Sequence, residues 1–114
     1  MKKYIEKRPW GKFEQFTHNE KSTVKIITIN PKQILSLQYH KKRKEFWRFL
    51  DNPAKVTIGK KIIKVKEGDE VIIPKRTLHT VEALNKPVRF LEIAEGNFNE
   101  NDIVRLKDKY GRVK

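Results

Sequence analysis

Gln38-Tyr39-His40, Glu45 and His79 bring together two imidazoles, a carboxylate and an amide. That is the donor mixture accepted by borderline and hard divalent ions such as zinc, manganese, iron, cobalt and nickel. Four such ligands leave positions open for water or substrate, so the chemistry on offer is stabilisation of negative charge developing on an oxygen. A single strand histidine is more often a hydrogen-bonded core or surface residue than a ligand. Here the joint spacing argues for a metal: two of the three histidines of the chain flank a glutamate, and Gly68 and Pro74 precede the second. The third, His18, comes before Asn19-Glu20-Lys21 in a turn and reads as surface.

The elements that must position these side chains are strands. Runs rich in β-branched and aromatic residues recur at Phe13–Phe16, Val24–Ile29, Ile34–Tyr39, Phe46–Leu50, Lys55–Ile58, Ile62–Lys66, Glu70–Ile73, Leu78–Val81 and Val88–Ala94. Asn30-Pro31, Asp51-Asn52-Pro53, Gly59, Gly68-Asp69 and Asn85-Lys86-Pro87 punctuate them. Short strands without helical crossovers predict an antiparallel sandwich or barrel. Only the tail from Asn99 to Asp108 reads as helical, with Asn99 or Asn101 as cap. Residues two apart share a face, so Gln38 and His40 point the same way, with Ile34 and Ser36 behind them. Glu45 shares its face with Trp47 and Phe49 and emerges from an apolar floor, where a divalent cation would relieve the cost of burying a carboxylate. The opposite faces carry Leu35, Leu37, Tyr39, Phe46 and Leu50, which calls for a cover, either a dimer interface or the N-terminal segment.

With 114 residues the chain is expected to be one domain, 1–114. It has no cysteine, which excludes disulfides and thiolate metal sites. Met1-Lys2-Lys3-Tyr4-Ile5-Glu6-Lys7 has no apolar run, and no stretch approaches membrane-spanning length, so a soluble cytoplasmic protein is expected. The net charge of +13 fits nucleic acid, an anionic membrane or an anionic small substrate. The lysines mostly alternate with apolar residues, as in Lys60-Lys61-Ile62-Ile63-Lys64-Val65-Lys66, which is the pattern of a solvated face. The aromatics follow the core pattern rather than an exposed stripe, so no nucleic acid and no membrane partner is expected. The exception is Lys41-Lys42-Arg43-Lys44, a cationic run between two proposed ligands that places charge at the mouth of the site.

These residues fit the two-part cupin signature: Lys32, Gln38, His40, Glu45 and Asn52 stand at the places of its first half, and Gly68, Pro74 and His79 at those of its second. Beyond that register, Arg8-Pro9-Trp10-Gly11, Ser36-Leu37-Gln38-Tyr39-His40-Lys41-Lys42-Arg43, Ile73-Pro74 to His79, Asn101-Asp102-Ile103-Val104-Arg105 and Tyr110-Gly111-Arg112 resemble the cupin-type, or type II, phosphomannose isomerases. These often form the C-terminal part of bifunctional isomerase and mannose-1-phosphate guanylyltransferase enzymes. The resemblance implies an all-β cupin double-stranded β-helix, to which the reading above adds a short C-terminal helical segment. It also implies interconversion of mannose 6-phosphate and fructose 6-phosphate through an enediolate, a divalent metal with zinc as the usual ion, and a homodimer.

Within that frame Gln38, His40, Glu45 and His79 hold the metal. Arg43 steadies the enediolate or holds the phosphate, the alternative being a rim salt bridge. For the base, Glu92, in an otherwise apolar final strand, is a better candidate than Glu82, which faces away from His79; Lys42 or Lys44 would serve only if an apolar pocket lowered its pKa, and the base stays unassigned. Arg8 and Arg112 are candidates for binding the phosphate. The alternative for Arg8 is an N-terminal turn that packs Trp10 over the barrel. The chain departs from the family at Lys41 and Lys42, at Phe46 and Thr80, and at Arg76 and Ala83, where relatives carry histidines, an arginine, a glycine and an asparagine. These departures leave a second reading open, a non-catalytic metal-containing cupin that binds a sugar phosphate or another small anion. No glycine-rich nucleotide-binding loop is present, so nucleotide transfer is not expected.

Overall fold

A computed structural model describes residues 3–96, 98–99 and 101–111; Arg112, expected to bind phosphate, lies outside the described residues. Among the described residues eleven strands follow one another: β1 (Tyr4–Arg8), β2 (Gly11–Gln15), β3 (Ser22–Ile29), β4 (Leu37–Tyr39), β5 (Glu45–Phe49), β6 (Ala54–Ile58), β7 (Lys61–Val65), β8 (Glu70–Ile73), β9 (His79–Ala83), β10 (Val88–Glu95) and β11 (Val104–Lys107). They form a four-stranded sheet, β3-β10-β5-β8, a five-stranded sheet, β11-β4-β9-β6-β7, and the separate hairpin β1-β2, with every pairing antiparallel.

The sequence alternation becomes an inside and an outside. On β5, Glu45, Trp47 and Phe49 are buried, and Val56, Val81, Val88, Phe90 and Ile73 complete the apolar interior. Trp47, Phe49 and Phe90 pack as one aromatic cluster, with ring centroids 4.9 to 6.4 Å apart. The outer face of β5 receives its cover from the N-terminal segment: Phe16 stacks on Phe46 at 5.3 Å, and Glu14 pairs with Arg48 at 3.1 Å.

Two parts of the chain depart from the sequence reading. The helical tail is not formed; among the described residues there is no helix. Asn99 does cap, accepting the Asn101 N–H on its side-chain oxygen at 2.9 Å, but it closes only a single turn. The chain then extends, because Val104-Arg105-Leu106-Lys107 satisfies the otherwise open edge of β4. The N-terminal reading began at Phe13, whereas Tyr4–Arg8 already forms a strand that turns at Pro9-Trp10 and pairs Arg8 with Gly11. Trp10 does not pack over the barrel; it is 73% exposed.

Lys32 and Arg76, which stand where glycines are expected, have φ of +64° and +61°. The left-handed backbone is therefore kept without glycine, at about 1–2 kcal/mol each. At Arg76 that geometry aims the backbone N–H at the carbonyl of His40, 2.7 Å away.

Candidate metal centre

Two rows of side chains face each other across the barrel. In the five-stranded sheet, Arg105, Gln38 and His79 stand opposite one another on β11, β4 and β9. In the four-stranded sheet, Lys25, Glu92 and Trp47 do the same on β3, β10 and β5. His40 and Arg43, from the connection between β4 and β5, and Glu45 at the start of β5 close the space between the rows. The result is a cavity of about 170 Å³ whose lining includes Gln38, His40, Arg43, Glu45, Glu92 and Arg105.

His40, Glu45 and His79 are all buried, and one donor atom from each lies within 4.8 Å of the others. The two imidazoles are oriented from behind. Nδ1 of His40 meets the carbonyl of Asp102 at 2.6 Å, and Nδ1 of His79 meets the carbonyl of Thr77 at 2.8 Å. A carbonyl can only accept, so each ring carries its proton on Nδ1 and presents the Nε2 lone pair to the centre. Desolvation pulls His79 down to about 4 and also lowers His40, which keeps both rings neutral at pH 7.

Nε2 of His79 is buried with no hydrogen-bond partner, and Nε2 of His40 lies 3.4 Å from Oε2 of Glu45. The orphaned lone pair of His79, beside a carboxylate and a second imidazole whose Nε2 is met by Arg43 at 3.2 Å, is an arrangement that a metal cation would relieve. The residues present therefore fit a divalent ion held by His40, Glu45 and His79.

Arg43 supplies part of that positive charge itself. Its Nε donates to Oε2 of Glu45 at 2.7 Å, a terminal nitrogen reaches Nε2 of His40 at 3.2 Å, and its guanidinium stacks on Phe98 at 4.3 Å. The indole N–H of Trp47 donates to Oε1 of Glu45 at 3.1 Å. Glu92 shares a hydrogen bond with Glu45. Burial, then the charge of Glu45 and that bond, push Glu92 up to about 8. Burial opposes ionisation of Glu45 too, but His40, the bond from Glu92, His79 and Arg43 outweigh it and hold Glu45 below its ordinary value. One ionised and one protonated carboxyl thus sit side by side.

Of the residues singled out in the sequence, the structure brings Gln38, His40, Arg43, Glu45 and Glu92 together around one cavity, with His79 against His40 and Glu45. It places Arg8 elsewhere, on the β1-β2 hairpin, bonded to Glu6 and stacked on Phe13 at 5.5 Å. His18 is exposed beside Asn19, as expected. Glu82 faces outward to Lys55, 3.7 Å away. Asp102 was not anticipated. Its carboxylate accepts the backbone N–H groups of Lys41 and Lys42 at 2.9 and 3.0 Å while its carbonyl holds His40, so one residue fixes both the loop and the ring. Its place in Asn101-Asp102-Ile103-Val104-Arg105 was the available signal, obscured by reading the tail as helix.

The mannose-6-phosphate isomerase C-terminal family matches residues 2–108. The chain belongs to that family. Among curated relatives it is 37% identical over 108 residues to mannose-1-phosphate guanylyltransferase ManC of Salmonella typhimurium, covering 93% of this chain and 22% of the relative. It is 36% identical over 108 residues to xanthan biosynthesis protein XanB of Xanthomonas campestris, covering 93% and 23%. The chain thus spans less than a quarter of the curated relatives it matches.

The fold is the cupin double-stranded β-helix. Oxalate decarboxylase from Bacillus subtilis superposes with a TM-score of 0.70 at 29% identity, over 76% of this chain and 24% of that one. A putative sugar phosphate isomerase from Acidithiobacillus ferrooxidans shares the fold at 18% identity, with a TM-score of 0.61 over 67% of this chain and 51% of that one.

Several departures from the pattern of the mannose-6-phosphate isomerase C-terminal family fall outside the cavity. Phe46 points to Phe16 on the outer face, and Thr80 turns its hydroxyl to the Leu35 carbonyl at 2.6 Å. Lys41 and Lys42 are exposed, Ala83 lies in the apolar core, and Arg76 keeps its turn.

Proposed function

We propose that this chain is a metal-dependent aldose-ketose isomerase domain that interconverts mannose 6-phosphate and fructose 6-phosphate through an enediolate. The observation that carries the reading is the convergence of two Nε2 lone pairs and the Glu45 carboxylate beside Arg43 and Glu92 in one cavity. A bound divalent ion, zinc or one of its borderline neighbours, would be held by His40, Glu45 and His79, with Gln38 as the fourth donor, and would supply electrostatic stabilisation to substrate oxygens.

The remaining work falls to the chain. Isomerisation breaks the C2–H bond of the aldose, leaves its electron pair in the enediolate and returns a proton to C1, while the O2 hydroxyl proton passes to O1, so no co-reactant is consumed. Glu92, raised to about 8, combines proton-holding capacity near neutral pH with a basicity that an ordinary glutamate lacks, and so suits both halves of that transfer. Arg43 stands between His40 and Glu45 and places a fixed cation where enediolate charge develops. Trp47 and the apolar floor exclude water from one side. The domain works in the cytoplasm and as a homodimer in this reading.

Metal-dependent conversion of mannose 6-phosphate to fructose 6-phosphate, with glucose 6-phosphate alongside, tests it. Turnover that falls at least about a thousandfold on chelation and in His79→Ala supports the isomerase. Absence of turnover with every divalent ion supplied overturns it in favour of a sugar-phosphate-binding cupin.

A further inference from the structure

We propose that Arg105 is the anchor for the anionic head of the ligand, a phosphate group, at the tail side of the cavity. This rests on the sugar-phosphate reading and adds to it the residue that recognises the phosphate. Arg105 stands opposite Gln38 on the neighbouring strand, and Gln38 stands opposite His79, so the three form one row across the sheet. Cross-strand partners of this kind project from the same face. Arg105 lines the cavity together with Gln38. The pairing of β11 with β4 shifts register immediately after Arg105, and such bulges re-aim the side chain next to them.

The second observation is that the Nε of Arg105 is uncommitted among the described residues, where other arginines are engaged. Its Nε is buried and has no hydrogen-bond partner. Arg43 is held by Glu45 and His40, Arg48 by Glu14 and Glu70, and Arg89 by Asp51, while Arg76 sits in an exposed turn. Among the described residues no carboxylate competes from within the cavity, because Glu45 is bonded to Arg43 and Trp47, and Glu92 to Glu45. A guanidinium N–H buried without an acceptor is costly, and an oxyanion of fork-matching geometry is the ligand that removes the cost. The site is then bipolar: sugar oxygens at the His40, Glu45 and His79 end, phosphate at the Arg105 end. Ile103, from the same tail segment, also lines the cavity.

Calorimetric titration of the metal-loaded chain with mannose 6-phosphate, mannose and inorganic phosphate tests this. The proteins compared are wild type, Arg105→Met, Arg105→Lys and a surface control, Lys60→Met. Wild type is expected to bind mannose 6-phosphate at least tenfold more tightly than mannose. Arg105→Met loses roughly ten- to a hundredfold of that preference. Arg105→Lys, which keeps the charge without the fork, recovers only part of it, and Lys60→Met is unchanged. Phosphate affinity that is equal in wild type and Arg105→Met, or lost equally in Lys60→Met, overturns the anchor, as does wild type that binds neither phosphate compound. Should Arg105→Met fail to fold by circular dichroism, Arg105→Lys decides, and full affinity there overturns the proposal. Inorganic phosphate bound through Arg105 with no turnover of mannose 6-phosphate would keep the anchor and remove the isomerase. Turnover with a KM unaltered in Arg105→Met would do the reverse.

Discussion

The two ends of the barrel interior are built from the same three strands and face opposite problems. Reading inward positions along β5 gives Glu45, Trp47, Phe49; along β9, His79, Val81, Ala83; and along β10 in reverse, Glu92, Phe90, Val88. Each strand passes from an ionisable group to an apolar one within two residues. At the apolar end the side chains need only fill space. At the polar end every donor and acceptor must be matched, and the Nε2 lone pair of His79 is left unmatched toward the centre. Trp47 marks the boundary, with its ring against Phe90 and His79 and its N–H on Glu45. Stability is thus concentrated at one end and chemistry at the other, so substitutions should separate the two.

The largest effect is expected at the apolar end. Phe90 is fully buried between Trp47 and Phe49, and Phe90→Ala should cost about 3–5 kcal/mol in urea unfolding, while metal stoichiometry at low temperature stays as in wild type. Equal losses of stability and of metal would break the separation.

Next is Glu92. Its value in the folded metal-free chain is about 8 against an ordinary 4.5, so between these the folded state holds the extra proton. The stabilisation is complete below about 4.5 and is lost as pH rises through about 8. Between pH 6 and 8.5 the metal-free wild type should lose roughly 2 kcal/mol, and Glu92→Gln, neutral throughout, should lose much less. His79 has the opposite sign: lowered to about 4, it contributes stability that is complete above 6.5 and is lost as pH falls from there to about 4, so it adds little over pH 6 to 8.5. Parallel unfolding profiles for the two proteins would contradict the shared-proton arrangement.

The smallest effect is one residue further out. Asp102→Ala removes the clamp on the Lys41 and Lys42 amides and loosens the carbonyl that orients His40. Metal affinity should fall about tenfold with little change in stoichiometry. An unchanged dissociation constant would show that the His40 ring is held by other means.

The candidate site was legible because strand alternation and the spacing of Gln38, His40, Glu45 and His79 are both patterns of the sequence, and the structure brings His40, Glu45 and His79 within reach of one another. Glu92 was legible for a related reason, as a charge in an apolar strand. The positions of Asp102 and Arg105 were not, because they come from the tail docking on β4 more than sixty residues earlier, a pairing that no local period encodes. The same four-residue run, Val104-Arg105-Leu106-Lys107, suits a helix or an edge strand by composition, and the open edge of β4 decides between them. The hairpin strand Tyr4–Arg8 was missed because its charged residues mask the alternation and its partner, not its propensity, defines it.

The most direct test of the account is metal binding itself, by equilibrium dialysis of chelator-stripped wild type and His79→Ala against zinc and manganese with elemental analysis. The account predicts one ion per chain in wild type and loss of that ion in a folded His79→Ala. An ion retained by His79→Ala, or none bound by wild type, would contradict it.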